Sequence, residues 1–148
     1  MIRLAANLST MFQELPFLDR IDAAARAGFA AVECQFPYAE SPADIARRLK
    51  DNDLRWVLFN APPGHADKGE RGIASLPGRE REFDEGLETV VKYIEAGGCR
   101  RVHVMAGLLP AGADRLRHLD HFVGSLVRAA DRLSQVDADV MIEPINTR

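Results

Sequence analysis

A chain of 148 residues with 19 basic against 22 acidic side chains, net charge -3, is long enough for the core of one ordinary domain and short for a large enzyme barrel. That balance leaves no surplus of cations to neutralise a phosphate backbone, so nucleic acid is not an expected partner. The opening MIRLAANLSTMFQELP is broken by Asn, Ser, Gln and Glu, no apolar run reaches transmembrane length, and Cys34 and Cys99 have no CxxC spacing. A reduced, cytoplasmic chain that does not cross a membrane is expected.

The expected elements alternate in type. IRLAAN (2–7) reads as a strand. A helix follows, with Pro16 at its start, Phe17, Leu18, Ile21, Ala24 and Ala25 on one face and Gly28 past its end. AAVEC (30–34) is a second strand, and Ser41-Pro42-Ala43-Asp44 is a capped start, with proline at the first helical position, for a helix through Leu49. LRWVLF (54–59) is a third strand, and the nineteen residues 60–78 after it show no periodicity. Phe83, Leu87, Val90, Val91 and Ile94 recur at helical spacing up to Gly97-Gly98. RVHVM (101–105) is a fourth strand. A helix from about Asp114 to Ser134 puts Leu116, Leu119, Phe122, Val123, Leu126, Val127, Ala130 and Leu133 on one stripe, and DVMIE (139–143) reads as a buried fifth strand.

Strand and helix in alternation mean right-handed crossovers and a parallel sheet, an α/β fold. No G-x-G-x-x-G follows the first strand to mark a dinucleotide site. A complete (β/α)8 TIM barrel takes about 250 residues, so five parallel strands and four helices over residues 1–148 fit the amino-terminal portion of one barrel domain.

Ligands in such folds lie beyond the carboxyl ends of the strands, where Asn7, Glu33, Asn60 and Glu143 are expected. Glu143 follows three apolar residues. At a buried strand end it could ligate a hard divalent ion or take a proton from a carbon beside a carbonyl, and a structural pair with an arginine fits its position equally well. In the long loop, Arg71 and Arg79 offer guanidinium groups for a substrate carboxylate, with a solvated charged loop and Arg79 at a helix start as the structural alternative. His103 alternates with Val102 and Val104 and suits an interior histidine or a substrate contact. His118 and His121 are expected on a solvated helix face, and the two cysteines as packing residues.

MIRLAANLSTMF at the start, AGFAAVECQFPY (27–38), GERGIASLPGREREF (69–83) and MIEPINTR (141–148) resemble, in order and over the whole chain, the hydroxypyruvate isomerase family of xylose-isomerase-like TIM barrels. The resemblance implies interconversion of hydroxypyruvate and tartronate semialdehyde, or of a relative such as 2-oxo-tetronate, through an enediolate. It gives Glu143 of the I-E-P-I-N motif the roles of proton donor and acceptor and of ligand to a divalent metal, Mg2+ or Mn2+. It also implies that a second catalytic glutamate and the remaining ligands come from strands six to eight, so the metal site is expected to be incomplete in this chain. On chemical grounds Arg71 is the candidate for the substrate carboxylate, and Asn7, Asn60 and His103 are further candidates for substrate binding. The alternatives are an epimerase, dehydratase or DNA-repair endonuclease on the same fold, the last disfavoured by the acidic balance, or a non-catalytic fragment that self-associates through exposed barrel edges.

Overall fold

The computed structural model describes residues 4–144. The beginning of the strand expected over 2–7 and residues 145–148 of the terminal motif lie outside that range. Five strands, β1 (Ala6–Asn7), β2 (Ala31–Glu33), β3 (Arg55–Asn60), β4 (Arg101–His103) and β5 (Asp139–Met141), pair in parallel in the order β1-β2-β3-β4-β5. Between them run α1 (Phe17–Arg26), α2 (Pro42–Asp51), α3 (Glu80–Gly97) and α4 (Arg115–Ser134).

The helix boundaries follow their local chemistry. Ser41 Oγ accepts the Asp44 amide at 3.1 Å, and Pro42, which has no N–H to orphan, takes the first helical position. Asp114 Oδ1 accepts the amides of Leu116 and Arg117 and opens α4. Gly98, at φ +72°, closes α3 in the left-handed region. Arg48 of α2 reaches back to Asp19 and Asp22 of α1, fixing one helix against the next.

Between sheet and helices lies the core. Ile21 and Ala24, Ile45 and Leu49, Leu87, Val90 and Ile94, and Ala129 and Leu133 pack from the four helices against Ala6, Val32, Trp56, Phe59, Val102 and Val104 of the strands and their ends. Each larger aliphatic or aromatic side chain removed from water contributes about 1.5–3 kcal/mol. At the centre, the rings of Trp56 and Phe59 lie 4.6 Å apart, with Tyr38 and Tyr93 around them. Gly97 belongs to this packing, because a Cβ there would come within 2.7 Å of the Trp56 ring.

A bulge in β3 decides which side chains face which side. Val32 pairs with Trp56 but Glu33 pairs with Leu58, so Val57 is the extra residue. Strict alternation would set Trp56 and Phe59 on opposite faces. The bulge turns both toward the helices, while Leu58 and Asn60 border the cavity on the other side.

Two expectations fail at the end of the chain. The fifth strand stops at Met141, not Glu143, and it is not buried: Met141 and Ile142 are 40% and 60% exposed. Its only strand neighbour among the described residues is β4, so its other edge is unpaired, and Asp139 and Met141 are exposed while Val140 packs on the core. The expected stripe of α4 is also split. Leu133 is buried and Phe122 and Leu126 pack on the core, whereas Leu116, Leu119, Val123 and Val127 are exposed. Eight apolar side chains on this helix span more than the single face that α3 and the sheet cover.

Candidate active site at the carboxyl ends of the strands

The strand ends converge on two adjoining cavities. One, of about 450 Å³, is bordered by Asn7, Glu33, Asn60, Arg101, His103 and Glu143. The other, of about 650 Å³, is bordered by Arg71, His103, Met105, Phe122 and Glu143. His103, Ile142 and Glu143 line both. Of the residues expected to carry the chemistry, Asn7, Asn60, Arg71, His103 and Glu143 therefore border this one region.

Hydrogen bonds between neighbouring strand ends fix much of its wall. Asn7 Nδ2 donates to Glu33 Oε1 at 2.9 Å, and Asn7 Oδ1 accepts the Ser9 amide at 2.9 Å. Asn60 Oδ1 lies 3.3 Å from His103 Nδ1, and its main-chain carbonyl accepts the Tyr38 hydroxyl at 2.6 Å. The side chains of Asn7 and Asn60 are thus already engaged with protein. Burial pulls the His103 imidazole below its ordinary pKa, and the Glu143 carboxylate opposes that effect in part. Glu143 is exposed to solvent, contrary to the expected strand interior, because β5 is an edge.

The long loop is more ordered than its lack of periodicity suggests. A 3-10 turn spans Ala66–Lys68, Ile73, Ala74 and Ser75 are buried, and Gly72 forms an antiparallel bridge with Ala106. A Cβ on Gly72 would stand 2.4 Å from the Met105 carbonyl oxygen, so only glycine fits this approach. Glu70, on the other side of Arg71, accepts the His65 amide and two bonds from the Arg79 guanidinium. Arg71 is exposed and has no ion-pair partner among the described residues.

Of the two readings of Arg79, the structure bears out the one at a helix start, since it is the residue that opens α3, and not the carboxylate grip. Its guanidinium is filled by Glu70 and Glu82, so it ties the loop to α3. The bond from Arg79 holds the Glu70 carboxyl down at about 2. A depressed carboxyl stabilises the fold fully above its unfolded value of about 4.3, and that contribution disappears as pH falls toward the folded value. The difference in melting temperature between parent and Glu70→Gln should therefore be largest above about pH 5 and close between about pH 4 and 2. A difference that stays constant across that interval would detach the loop's stability from this carboxylate.

His118 and His121 also depart from expectation, being half-buried on the packed side of α4. His121 Nε2 lies 3.5 Å from Glu80 Oε1, and His118 Nδ1 is enclosed without a partner among the described residues. Cys34 and Cys99 are buried packing residues, and desolvation pushes their thiols up to about 12 and about 11. Among the described residues no group of three His, Cys, Asp or Glu could hold a metal ion, and no helix is long and apolar enough to cross a membrane.

Three further residues shape the site, Glu33, Gln35 and Tyr38, and of these only Glu33 was expected at a strand end. The first two border the smaller cavity, and Tyr38 braces the backbone of Asn60. Arg101, two residues before His103 on β4, borders the same cavity. Gln35 and Tyr38 follow the end of β2, where no periodicity announces which way a side chain turns.

A family model described as xylose isomerase-like TIM barrel matches residues 21–148. The chain is similar to the 2-oxo-tetronate isomerase of Cupriavidus necator, with 49% identity over 148 residues, covering 100% of this chain and 57% of that protein. The Homo sapiens protein named "Putative hydroxypyruvate isomerase" is 47% identical over 152 residues, covering 99% of this chain and 55% of that protein. A crystal structure named AP endonuclease, family 2, from Brucella melitensis matches with a TM-score of 0.95 at 46% identity, over 99% of this chain and 57% of that one. A D-allulose 3-epimerase from Methylomonas sp. shares the fold, with a TM-score of 0.74 at 19% identity over 98% of this chain and 52% of that one. The chain spans little more than half the length of the curated relatives it matches. It belongs to the xylose isomerase-like TIM barrel family.

Proposed function

We propose that residues 1–148 are the amino-terminal portion of a TIM-barrel isomerase that interconverts hydroxypyruvate and tartronate semialdehyde, or the corresponding forms of a related 2-oxo acid such as 2-oxo-tetronate. The observation that carries this reading is the meeting of Arg71, His103 and Glu143 at one cavity beyond the strand ends. The curated names of relatives at 47% and 49% identity support it.

The chemistry needs a base, an anchor and a polar wall. Moving a carbonyl between adjacent carbons means removing a hydron from the hydroxyl-bearing carbon, passing through an enediolate, and returning the hydron one carbon along. Glu143 would be the base. It stands at the cavity in its solvated position, open to a substrate that displaces water. Arg71, presented between the clamped residues Glu70 and Gly72, would hold the substrate carboxylate through its guanidinium fork.

A divalent ion such as Mg2+ or Mn2+ would stabilise the charge that develops on the substrate oxygens. Such hard cations take six or more oxygen ligands. Glu143 would supply one, and among the described residues no further group of His, Cys, Asp or Glu stands with it that could complete such a site. A DNA-cleaving role finds no support in a net charge of -3.

The test is turnover of hydroxypyruvate and of 2-oxo-tetronate by the whole protein, followed by NMR of the carbon skeleton. Conversion of at least one of the two oxo acids is expected. Failure to convert either would overturn the reading.

A further inference from the structure

His103 and Asn60 form a polar pair that the proton transfer at Glu143 leaves unused. Both are buried, at 7% and 8% exposure, and His103 lines both cavities. The orientation of the Asn60 amide decides which ring nitrogen carries the proton. Its Nδ2 lies 3.8 Å from Met105 Sδ and its Oδ1 lies 3.3 Å from His103 Nδ1. A thioether has no hydrogen to donate, so the NH2 end belongs beside the sulfur and the carbonyl end beside the imidazole. An amide oxygen can only accept, which puts the proton on Nδ1 and leaves Nε2 with its lone pair.

The main chain that carries this amide is held from two sides. The main-chain carbonyl of Asn60 accepts the Tyr38 hydroxyl at 2.6 Å and its backbone N–H donates to the Gln35 carbonyl at 2.9 Å. Nε2 has no hydrogen-bond partner among the described residues. It is also absent from the enclosed atoms without a partner, of which His118 Nδ1 is the single described case, so Nε2 opens onto the cavity.

We infer that His103 is a catalytic residue of the proposed isomerisation, carrying a proton between the two substrate oxygens through Nε2, with Asn60 as the positioning residue that fixes its tautomer. This rests on the isomerase reading. Converting hydroxypyruvate to tartronate semialdehyde moves two hydrogens, one between carbons and one between oxygens. Glu143 breaks the bond to hydrogen at C3; that electron pair becomes the C2=C3 double bond, and the carbonyl pair moves onto the C2 oxygen. Nε2 takes the proton of the C3 hydroxyl and delivers it to the C2 oxygen. The C3 oxygen then forms a carbonyl as the C2=C3 pair takes the hydron from Glu143 onto C2. Imidazole and carboxylate end as they began, and no oxidant, reductant or co-reactant is consumed. While the ring is briefly cationic, the Nδ1–H bond to Asn60 Oδ1 strengthens, which favours the transfer. Neutral imidazole suits the task, because it accepts before it donates.

Long-range 15N–1H NMR of the unmodified whole protein tests the tautomer without any variant. Nδ1 is expected to bear the proton and Nε2 to be bare. In kinetics on the same protein, His103→Gln should lower kcat by about 100- to 10,000-fold with KM changed by less than about threefold. Asn60→Ala should mix the two tautomers and lower kcat by about tenfold, and Asn60→Asp, which keeps an acceptor, should restore the Nδ1–H form. A proton on Nε2 in the unmodified protein would overturn the inference. So would a kcat for folded His103→Gln within about threefold of a parent that turns over. That last result would remove only the role of His103, whereas a parent that turns over neither oxo acid would remove the isomerase reading and this role together.

Discussion

Glu143→Gln in the whole protein is expected to lower kcat for oxo-acid isomerisation by about 100- to 10,000-fold, the usual contribution of a positioned acid or base. The substitution keeps the length of the side chain and its capacity for hydrogen bonds, and it removes only the ability to take a hydron from carbon. Because Glu143 is exposed and has no partner residue among its described neighbours, the change in stability should stay within about 0.5 kcal/mol. A loss of rate with an unchanged melting temperature would thus report chemistry rather than folding. KM should change little if Arg71 carries the grip on the substrate, since that guanidinium borders the same cavity from a separate loop. Turnover within about threefold of the parent would take Glu143 out of the mechanism.

The parts of this molecule that were legible in the sequence are those governed by local rules. Pro42 behind Ser41, Gly98 after Ile94, and the spacing of Phe83, Leu87, Val90 and Ile94 each fix a helix end or face from a few neighbouring residues, and the structure has them so. The order of strands and their parallel pairing followed from the alternation of elements. What local rules could not supply was the surroundings of each element. Val140, Met141 and Ile142 form an apolar run that reads as buried, yet burial depends on whether a neighbour lies beyond β5, and none does among the described residues. The same holds for Leu116, Leu119, Val123 and Val127 on α4.

The candidate site divides along the same line. Asn7, Asn60 and Glu143 could be gathered from the rule that ligands sit at the carboxyl ends of parallel strands, and His103 from alternation along β4. The separate fates of Arg71 and Arg79 could not be read. They lie eight positions apart in one charged loop, and only the fold reveals that Glu70 and Glu82 occupy one guanidinium while the other borders the cavity. Nor does any pattern in the sequence announce that Asn60 serves His103 rather than a ligand. That pairing joins residues 43 apart in sequence.

The largest loss of stability is expected at Phe59→Ala. The ring is fully enclosed and lies within 4.6 to 6.4 Å, centroid to centroid, of Trp56, Tyr93 and Tyr38. Truncation removes the buried area and leaves a void that this rigid aromatic cluster cannot easily close, a change that costs about 3–5 kcal/mol. Against a total stability of about 5–15 kcal/mol for a domain, that is enough to bring unfolding near ambient temperature. Denaturant titration should show the midpoint falling with the slope unchanged, and Phe59→Leu should recover part of the loss. A loss below about 1 kcal/mol would mean that the ring is not the packing centre that its contacts describe. The consequence extends to the cavity, because Tyr38 stacks edge-on against Phe59 while its hydroxyl holds the Asn60 carbonyl. In the surviving folded fraction, loosening that brace should also let the Asn60 amide rotate, so the His103 tautomer would become mixed through a residue that faces away from the site.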